Sequence, residues 1–299
     1  MAAADAAAFF RSPEFLAAEG VTHTLAIGDK LRLPVIVRVI EGSERRDAIS
    51  PYGYPGASGT PSEPADPRRV DWSQTGLVSL FVRDRIGDSP CLAGGTVRSQ
   101  VQIADPRGES GMRKRLAEQI RRNERRGWIA AAEPGPQVER EDLVAFERAY
   151  SETMARTGAS ERYLYPSEYL ETALSAPTAW LLLAGREGEA PEAGAIAGAS
   201  DGFLHYYLGG TADAALKDSP MKNLFAAMTS LAGELGLSLN LGGGVTPRDS
   251  LDEFKRGFAN GAASFITHEV VCDEAAYEDL SSRVESVPEG FFPAYREPS

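Results

Sequence analysis

The stretch Leu239-Asn240-Leu241-Gly242-Gly243-Gly244, followed by Leu251 and Phe254-Lys255-Arg256-Gly257-Phe258, decides how this chain is read. An apolar strand runs straight into three glycines, where the backbone can turn sharply and a ligand can approach it closely. A few residues later a lysine and an arginine sit between two phenylalanines. Open backbone beside flanked positive charge suits a site that handles an anion or a developing oxyanion.

Working outward, the strand at 237–241 follows a helix opened by Ser219-Pro220, with Ser219 as N-cap and Pro220 at the first helical position. Leu224, Phe225, Met228, Leu231 and Leu235 form its expected apolar stripe. Upstream, a hairpin joins 193–199 to 203–208 across Ser200-Asp201-Gly202. Before it come helices over 141–156 and 167–174 and a strand at 180–184; after the glycines comes a last strand at 265–271. The N-terminal part holds a hairpin turning at Gly28-Asp29, a long Pro/Gly/Ser-rich loop over 50–71, a strand at 77–82 and a helix over 112–126 stopped by Gly127. Residues 133–137, with two prolines and a glycine, read as the boundary between halves 1–132 and 138–299.

Composition narrows the function. The chain has 299 residues, 42% hydrophobic and 25% charged, as expected of a soluble globular protein. No run of about 18 apolar residues is present, so no membrane insertion is expected. Met1-Ala2-Ala3-Ala4-Asp5 lacks the basic and apolar regions of a secretion signal. Cys91 and Cys272 have no metal-like spacing and are too few for a disulfide framework; free thiols fit a cytoplasmic location. The three histidines, His23, His205 and His268, have no ligand spacing, so no metal is expected. A formal charge of -12 argues against coating nucleic acid with the whole surface. A local patch is still able to bind it, because the field is screened within about 8 Å at physiological salt.

Such a patch is present. At 100° per residue, the helix over 112–126 puts Met112, Leu116 and Ile120 on one side. Lys114, Arg121 and Arg125 make one basic stripe, and Arg115, Arg122 and Arg126 its neighbour. Seven basic residues from Arg113 to Arg126 face only Glu118 and Glu124. Such a face attracts phosphate, whether an RNA backbone or a nucleotide-linked acceptor, unless it is simply a solvated helix surface. Lys222, beside the backbone N–H groups of residues 221–223, marks a second anion site in principle.

Three strands, a helix, and a strand that opens at glycines is the order found in acyltransferases of the N-acetyltransferase (GNAT) class. The segments Arg121-Arg122-Asn123-Glu124-Arg125-Arg126-Gly127, Tyr206-Tyr207-Leu208-Gly209-Gly210-Thr211 and Leu241-Gly242-Gly243 … Leu251-Asp252-Glu253-Phe254-Lys255-Arg256-Gly257-Phe258 carry a closer likeness. They resemble the Fem family of aminoacyl-tRNA-dependent peptidyl transferases over roughly residues 75 to 285. The resemblance implies an α/β (α+β) fold of two tandem GNAT-like domains with mixed sheets, the first degenerate, in a compact member without the family's helical arm. The Arg/Gln-x-x-Gly-x-Gly/Ala pyrophosphate loop of many CoA-dependent acetyltransferases is missing before the helix that follows Pro220, which counts against acetyl-CoA.

The resemblance implies transfer of an amino acid from aminoacyl-tRNA, as co-substrate, to the amine of a peptide-bearing acceptor, by a monomer that needs no other cofactor. The acceptor would be a cell-wall precursor or a peptidyl nucleoside antibiotic. Resemblance and local logic both select Lys255 as the oxyanion partner, with Phe254 either stacking on the acceptor end or packing in the core. Gly242, Gly243, Arg256, Tyr207, Tyr52 and Tyr54 are the expected substrate-binding residues. Lys114, Arg121, Arg122, Arg125 and Lys222 are those expected at tRNA phosphate. Asp249 or Asp252 is placed to orient the incoming ammonium, although Asp249 also suits a helix cap. His205 is a candidate for a minor role as a base. Two alternatives remain open at this point: an acyl-CoA-dependent N-acyltransferase on the same fold, and a non-catalytic binding module.

Overall fold

A computed structural model describes residues 8–87, 90–244, 249–284, 288 and 290–296; Met1 to Asp5, read above for a leader, lie outside the described residues. In chain order the elements are α1 (Pro13–Ala18), β1 (His23–Ile27), β2 (Leu31–Val39), β3 (Arg46–Ile49), β4 (Leu77–Arg83), β5 (Thr96–Ala104), α2 (Lys114–Arg125), β6 (Trp128–Pro134) and α3 (Arg140–Thr157). Then follow α4 (Ser167–Leu174), β7 (Ala179–Arg186), β8 (Ala193–Ser200), β9 (Phe203–Thr211), α5 (Met221–Glu234), β10 (Ser238–Gly242), α6 (Ser250–Arg256), β11 (Gly261–Val271) and α7 (Glu274–Ser281).

The chain divides into two compact units, one containing Glu19–Arg98 and Ser264–Ser299, the other Ala7–Ala18 and Ser99–Ala263. The first has strand order β1-β2-β3-β4-β11, antiparallel except for the parallel pair β3/β4. The second has order β5-β10-β9-β8-β7-β6, antiparallel except for β9/β10. Each unit therefore has a mixed sheet with one parallel pair. The sequence-based division into 1–132 and 138–299 differs from this arrangement, for a topological reason. The C-terminal strand β11 pairs with β4, and β5 pairs with β10, so strands distant in sequence complete each sheet. Residues 133–137 lie inside the second unit: Glu133 and Pro134 pair with Leu181 and Trp180, and Gly135–Gln137 is one 3-10 turn.

In the second unit α5 lays Leu224, Phe225, Met228 and Ala232 on the core, all at most 1% exposed. Spacings of one, four and eight residues follow one face of a 3.6-residue helix, so the smaller Ala232 takes the inward position and Leu235 is left 39% exposed. Ser219 is not the cap it was read to be. Its backbone is left-handed (φ 52°), its hydroxyl donates to Leu216 O at 3.3 Å, and Pro220 holds the capping position. The first unit packs Leu31, Leu33, Val35, Trp72, Leu80 and Val82 together, beneath the long loop expected at 50–71.

Candidate functional site

Strands β9 and β10 run side by side only briefly. Their parallel pairing extends from Ser238↔Phe203 to Asn240↔His205 and stops there. At the same level β9 carries one extra residue against β8: Ala197 faces Tyr206, Ile196 faces Leu208, and Tyr207 is the bulge. Strand β10 also slips register against β5 between Asn240 and Gly242. Bulges bend a strand and end its pairing, so the two parallel strands part beyond Asn240. Gly242 makes the turn possible with φ of 74°, a region that side-chain-bearing residues adopt at a cost.

A buried relay fixes this opening. The Gly242 N–H donates to Asn240 Oδ1 at 2.8 Å, and Asn240 Nδ2 donates to His205 Nδ1 at 2.9 Å. Because Ser200 O can only accept, His205 Nε2 carries the hydrogen and donates to it at 3.2 Å. Burial draws the His205 pKa down to about 4, which keeps the ring neutral. With both ring nitrogens engaged, His205 braces the strand end, and the base role considered for it is not supported.

Lys255 enters from α6, whose first turn is capped by Asp249 Oδ1 accepting from the Asp252 N–H at 2.8 Å. Lys255 is 5% exposed, and its Nζ donates to Gly243 O at 2.7 Å. The same ammonium lies 5.4 Å from the centroid of the Tyr206 ring. Burial pulls its pKa down to about 8, opposed by the charges of Asp249 and Asp252. Around it, Tyr206, Phe225, Phe254 and Phe258 form a continuous aromatic cluster with successive ring centroids 5.1 to 5.5 Å apart. Phe254 is a half-buried member of that cluster, which favours the packing role among the two considered for it.

Tyr206, and not the expected Tyr207, meets Lys255. His205 and Tyr207 do share a face, as alternation requires, but it is the face covered by the N-terminal segment. Both rings lie within 6 Å of Phe10, and the Tyr207 hydroxyl bonds that of Tyr169. Tyr206, one position earlier, points the other way and meets Lys255. Alternation along a strand puts the two tyrosines on opposite faces but does not tell which face meets Lys255. Arg256 is likewise engaged elsewhere: it is exposed and pairs with Asp252 at 2.7 Å on its own helix. Asp252 also accepts from Gln102 Nε2 at 3.0 Å.

The basic helix starts at Lys114, two residues later than expected, and has the expected inner face, with Ile120 buried and Leu116 packed against the core; Met112 packs there from the segment before it. On its outer face Arg113 pairs with Glu253 and Arg126 with Asp218. Lys114, Arg115, Arg121, Arg122 and Arg125 are exposed and form no ion pair among the described residues. Half-buried Lys222 has its pKa lowered by burial and then by Arg115 and Arg122, so three cations converge where α5 begins. At the α5 N-terminus two of the three expected N–H groups are already bonded locally. The Lys222 and Asn223 N–H groups donate to Ser219 O and Pro220 O at 3.1 and 2.9 Å. The Asn223 side chain accepts from Asn123 Nδ2 at 2.8 Å.

Tyr52 and Tyr54 belong to the other unit. Tyr52 is 39% exposed with its ring 5.9 Å from the Arg83 guanidinium, and Tyr54 sits edge-on to Phe265 at 5.4 Å. A groove of about 580 Å³ lies on the β6–β7 face, lined by Ile129, Glu133, Asp142 and Leu183 among others. It contains none of the expected site residues.

Residues 110–256 match the family described as acetyltransferase (GNAT) domain. Among solved structures the chain is similar to FemX, with a TM-score of 0.65 at 12% identity, covering 92% of this chain and 96% of that one. The fold is GNAT-like. L-PGS from Bacillus licheniformis aligns with a TM-score of 0.59 at 16% identity over 90% of each chain. The C-terminal domain of a protein described as a lysylphosphatidylglycerol synthetase from Agrobacterium fabrum gives 0.60 at 15%, over 89% of this chain and 88% of that one. At such identities the likeness speaks of fold alone. No curated protein matches the chain by sequence.

Proposed function

We propose that the protein is an aminoacyltransferase that takes an amino acid from aminoacyl-tRNA and joins it to the amine of a peptide-bearing acceptor, a peptidyl nucleoside antibiotic or a cell-wall precursor. A neutral amine nitrogen attacks the ester carbonyl carbon. As the C–N bond forms, negative charge develops on the carbonyl oxygen; as the C–O bond to the ribose breaks, a proton from the amine ends on the departing oxygen. Alignment and charge stabilisation are the large contributions for such a step.

The observation that carries the reading is the buried Lys255 ammonium at the end of the parted strands, where few water molecules weaken its field. The choice of donor is supported by the start of α5. Its N–H groups at Lys222 and Asn223 are internally bonded, whereas a pyrophosphate held at a helix start needs them free. Side-chain cations instead dominate there, on Lys222, Arg115 and Arg122, with Lys114, Arg121 and Arg125 continuing the face. Such a surface suits an RNA backbone. Gly242 and Gly243 border the acyl group in this reading.

Single-turnover transfer of labelled amino acid from charged tRNA tests it. Wild type transfers label, and Lys255→Ala loses on the order of a hundredfold or more in rate. A chain that binds tRNA but never transfers is a binding module and overturns the proposal.

A further inference from the structure

Nothing in the basic chemistry of a buried lysine keeps it charged. Burial favours the neutral amine, and only one acceptor, Gly243 O, is hydrogen-bonded to Nζ among the described residues. Besides the charges of Asp249 and Asp252, the ammonium has the face of the Tyr206 ring, whose π-system attracts a cation within about 6 Å. That ring is held in place from three sides. Phe225 meets it edge-on at 5.1 Å. The bulge at Tyr207 turns Tyr206 toward α5. On the strand itself, Gly209 leaves the space the ring occupies: a Cβ there would lie 2.5 Å from the Tyr206 hydroxyl oxygen and 2.7 Å from a ring carbon. Real Cβ atoms do not approach so closely, so any larger residue at 209 displaces the ring.

We propose that Tyr206, seated in the notch left by Gly209, is a positioning residue that holds the Lys255 ammonium charged and fixed where strands β9 and β10 part. The inference rests on the catalytic reading of Lys255 for its purpose, but not for its test. The charged groups that face Lys255 from the elements around it are Asp249 and Asp252, and both also favour the ammonium. Tyr206 acts through its ring face, so its hydroxyl is dispensable for this role. Burial pushes that hydroxyl's own pKa up to about 12, so it stays neutral as Lys255 titrates.

The chain has five lysines, Lys30, Lys114, Lys217, Lys222 and Lys255, so nitrogen-15 NMR of the side-chain amines resolves each one, assigned by single Lys→Arg variants. In wild type the expected Lys255 midpoint is about 8, drawn down from 10.5 by burial. Tyr206→Leu removes the ring and lowers that midpoint by about one pH value, whereas Tyr206→Phe keeps it near wild type. Gly209→Ala displaces the ring without deleting it and moves the midpoint in the same direction, which covers the case in which Tyr206→Leu does not fold. A folded Tyr206→Leu or Gly209→Ala protein with an unmoved Lys255 midpoint overturns the proposal, as does a Phe variant that shifts like Leu. Absence of aminoacyl transfer in wild type would overturn the functional reading instead, while the NMR titration still decides the role of Tyr206.

Discussion

A lysine that is 5% exposed and bonded to one carbonyl is a strained choice for a core. Holding its pKa at about 8 instead of 10.5 costs the folded state about 3 kcal/mol at neutral pH, where the group remains charged. Lys255→Met should therefore melt no lower than wild type at pH 7 while losing transfer, a combination that differential scanning calorimetry and the transfer assay check together. The sign of the pH dependence follows from linkage. Between about pH 8 and 10.5 the unfolded chain holds the Lys255 proton more often than the folded chain, so wild-type stability rises with pH relative to Lys255→Met across that window. For catalysis the direction reverses: if the ammonium stabilises the oxyanion, the rate falls as pH passes 8, after correction for ionisation of the acceptor amine. A rate that rises through pH 8 with the Lys255 titration would assign it as a base. Lys255 was legible in the sequence because cation, flanking aromatics and glycines lay close together. Tyr206 was not, because choosing between adjacent tyrosines requires knowing which sheet face α5 and α6 cover.

At the scale of elements, α6 aims Lys255 and α2 presents the cations. Asp249→Ala removes the α6 cap and should cost about 1 kcal/mol, read as a lower denaturation midpoint with an unchanged slope. Part of the loss should appear as slower transfer, because the same turn positions Lys255. On α2, Arg115→Glu with Arg122→Glu alters exposed side chains that form no ion pair among the described residues and should leave the melting temperature within a few degrees of wild type. The same double variant should weaken tRNA binding and flatten the logarithmic salt dependence by roughly one to two. An unchanged salt slope would remove α2 from the RNA-binding face. The helix was readable from its 3.6-residue periodicity, with Leu116 and Ile120 facing inward, although it begins at Lys114 and Met112 packs on the core from the segment before it. The supposed N–H site at Lys222 was not, because the left-handed turn at Ser219 closes the helix start with local bonds that composition does not reveal.

Across the whole molecule, the run of elements from α3 to β10 was legible, whereas β5, β6 and the division of the chain were not. Pro134 and Pro136 punctuate a strand end and a turn, and punctuation alone cannot distinguish that from a linker. Limited proteolysis of the native protein should spare residues 133–137, where Glu133 and Pro134 pair with Leu181 and Trp180. Rapid cleavage there would restore the division into sequential halves. Strand exchange at β5 and β11 escaped detection because pairing partners more than a hundred residues apart leave no local pattern. The acyl donor is decided by transfer of radiolabelled amino acid from charged tRNA to a peptide-bearing amine, run with and without ribonuclease and beside an acyl-CoA series. The proposed function predicts product from charged tRNA that ribonuclease abolishes and acyl-CoA does not replace. Product that survives ribonuclease and requires acyl-CoA would contradict it.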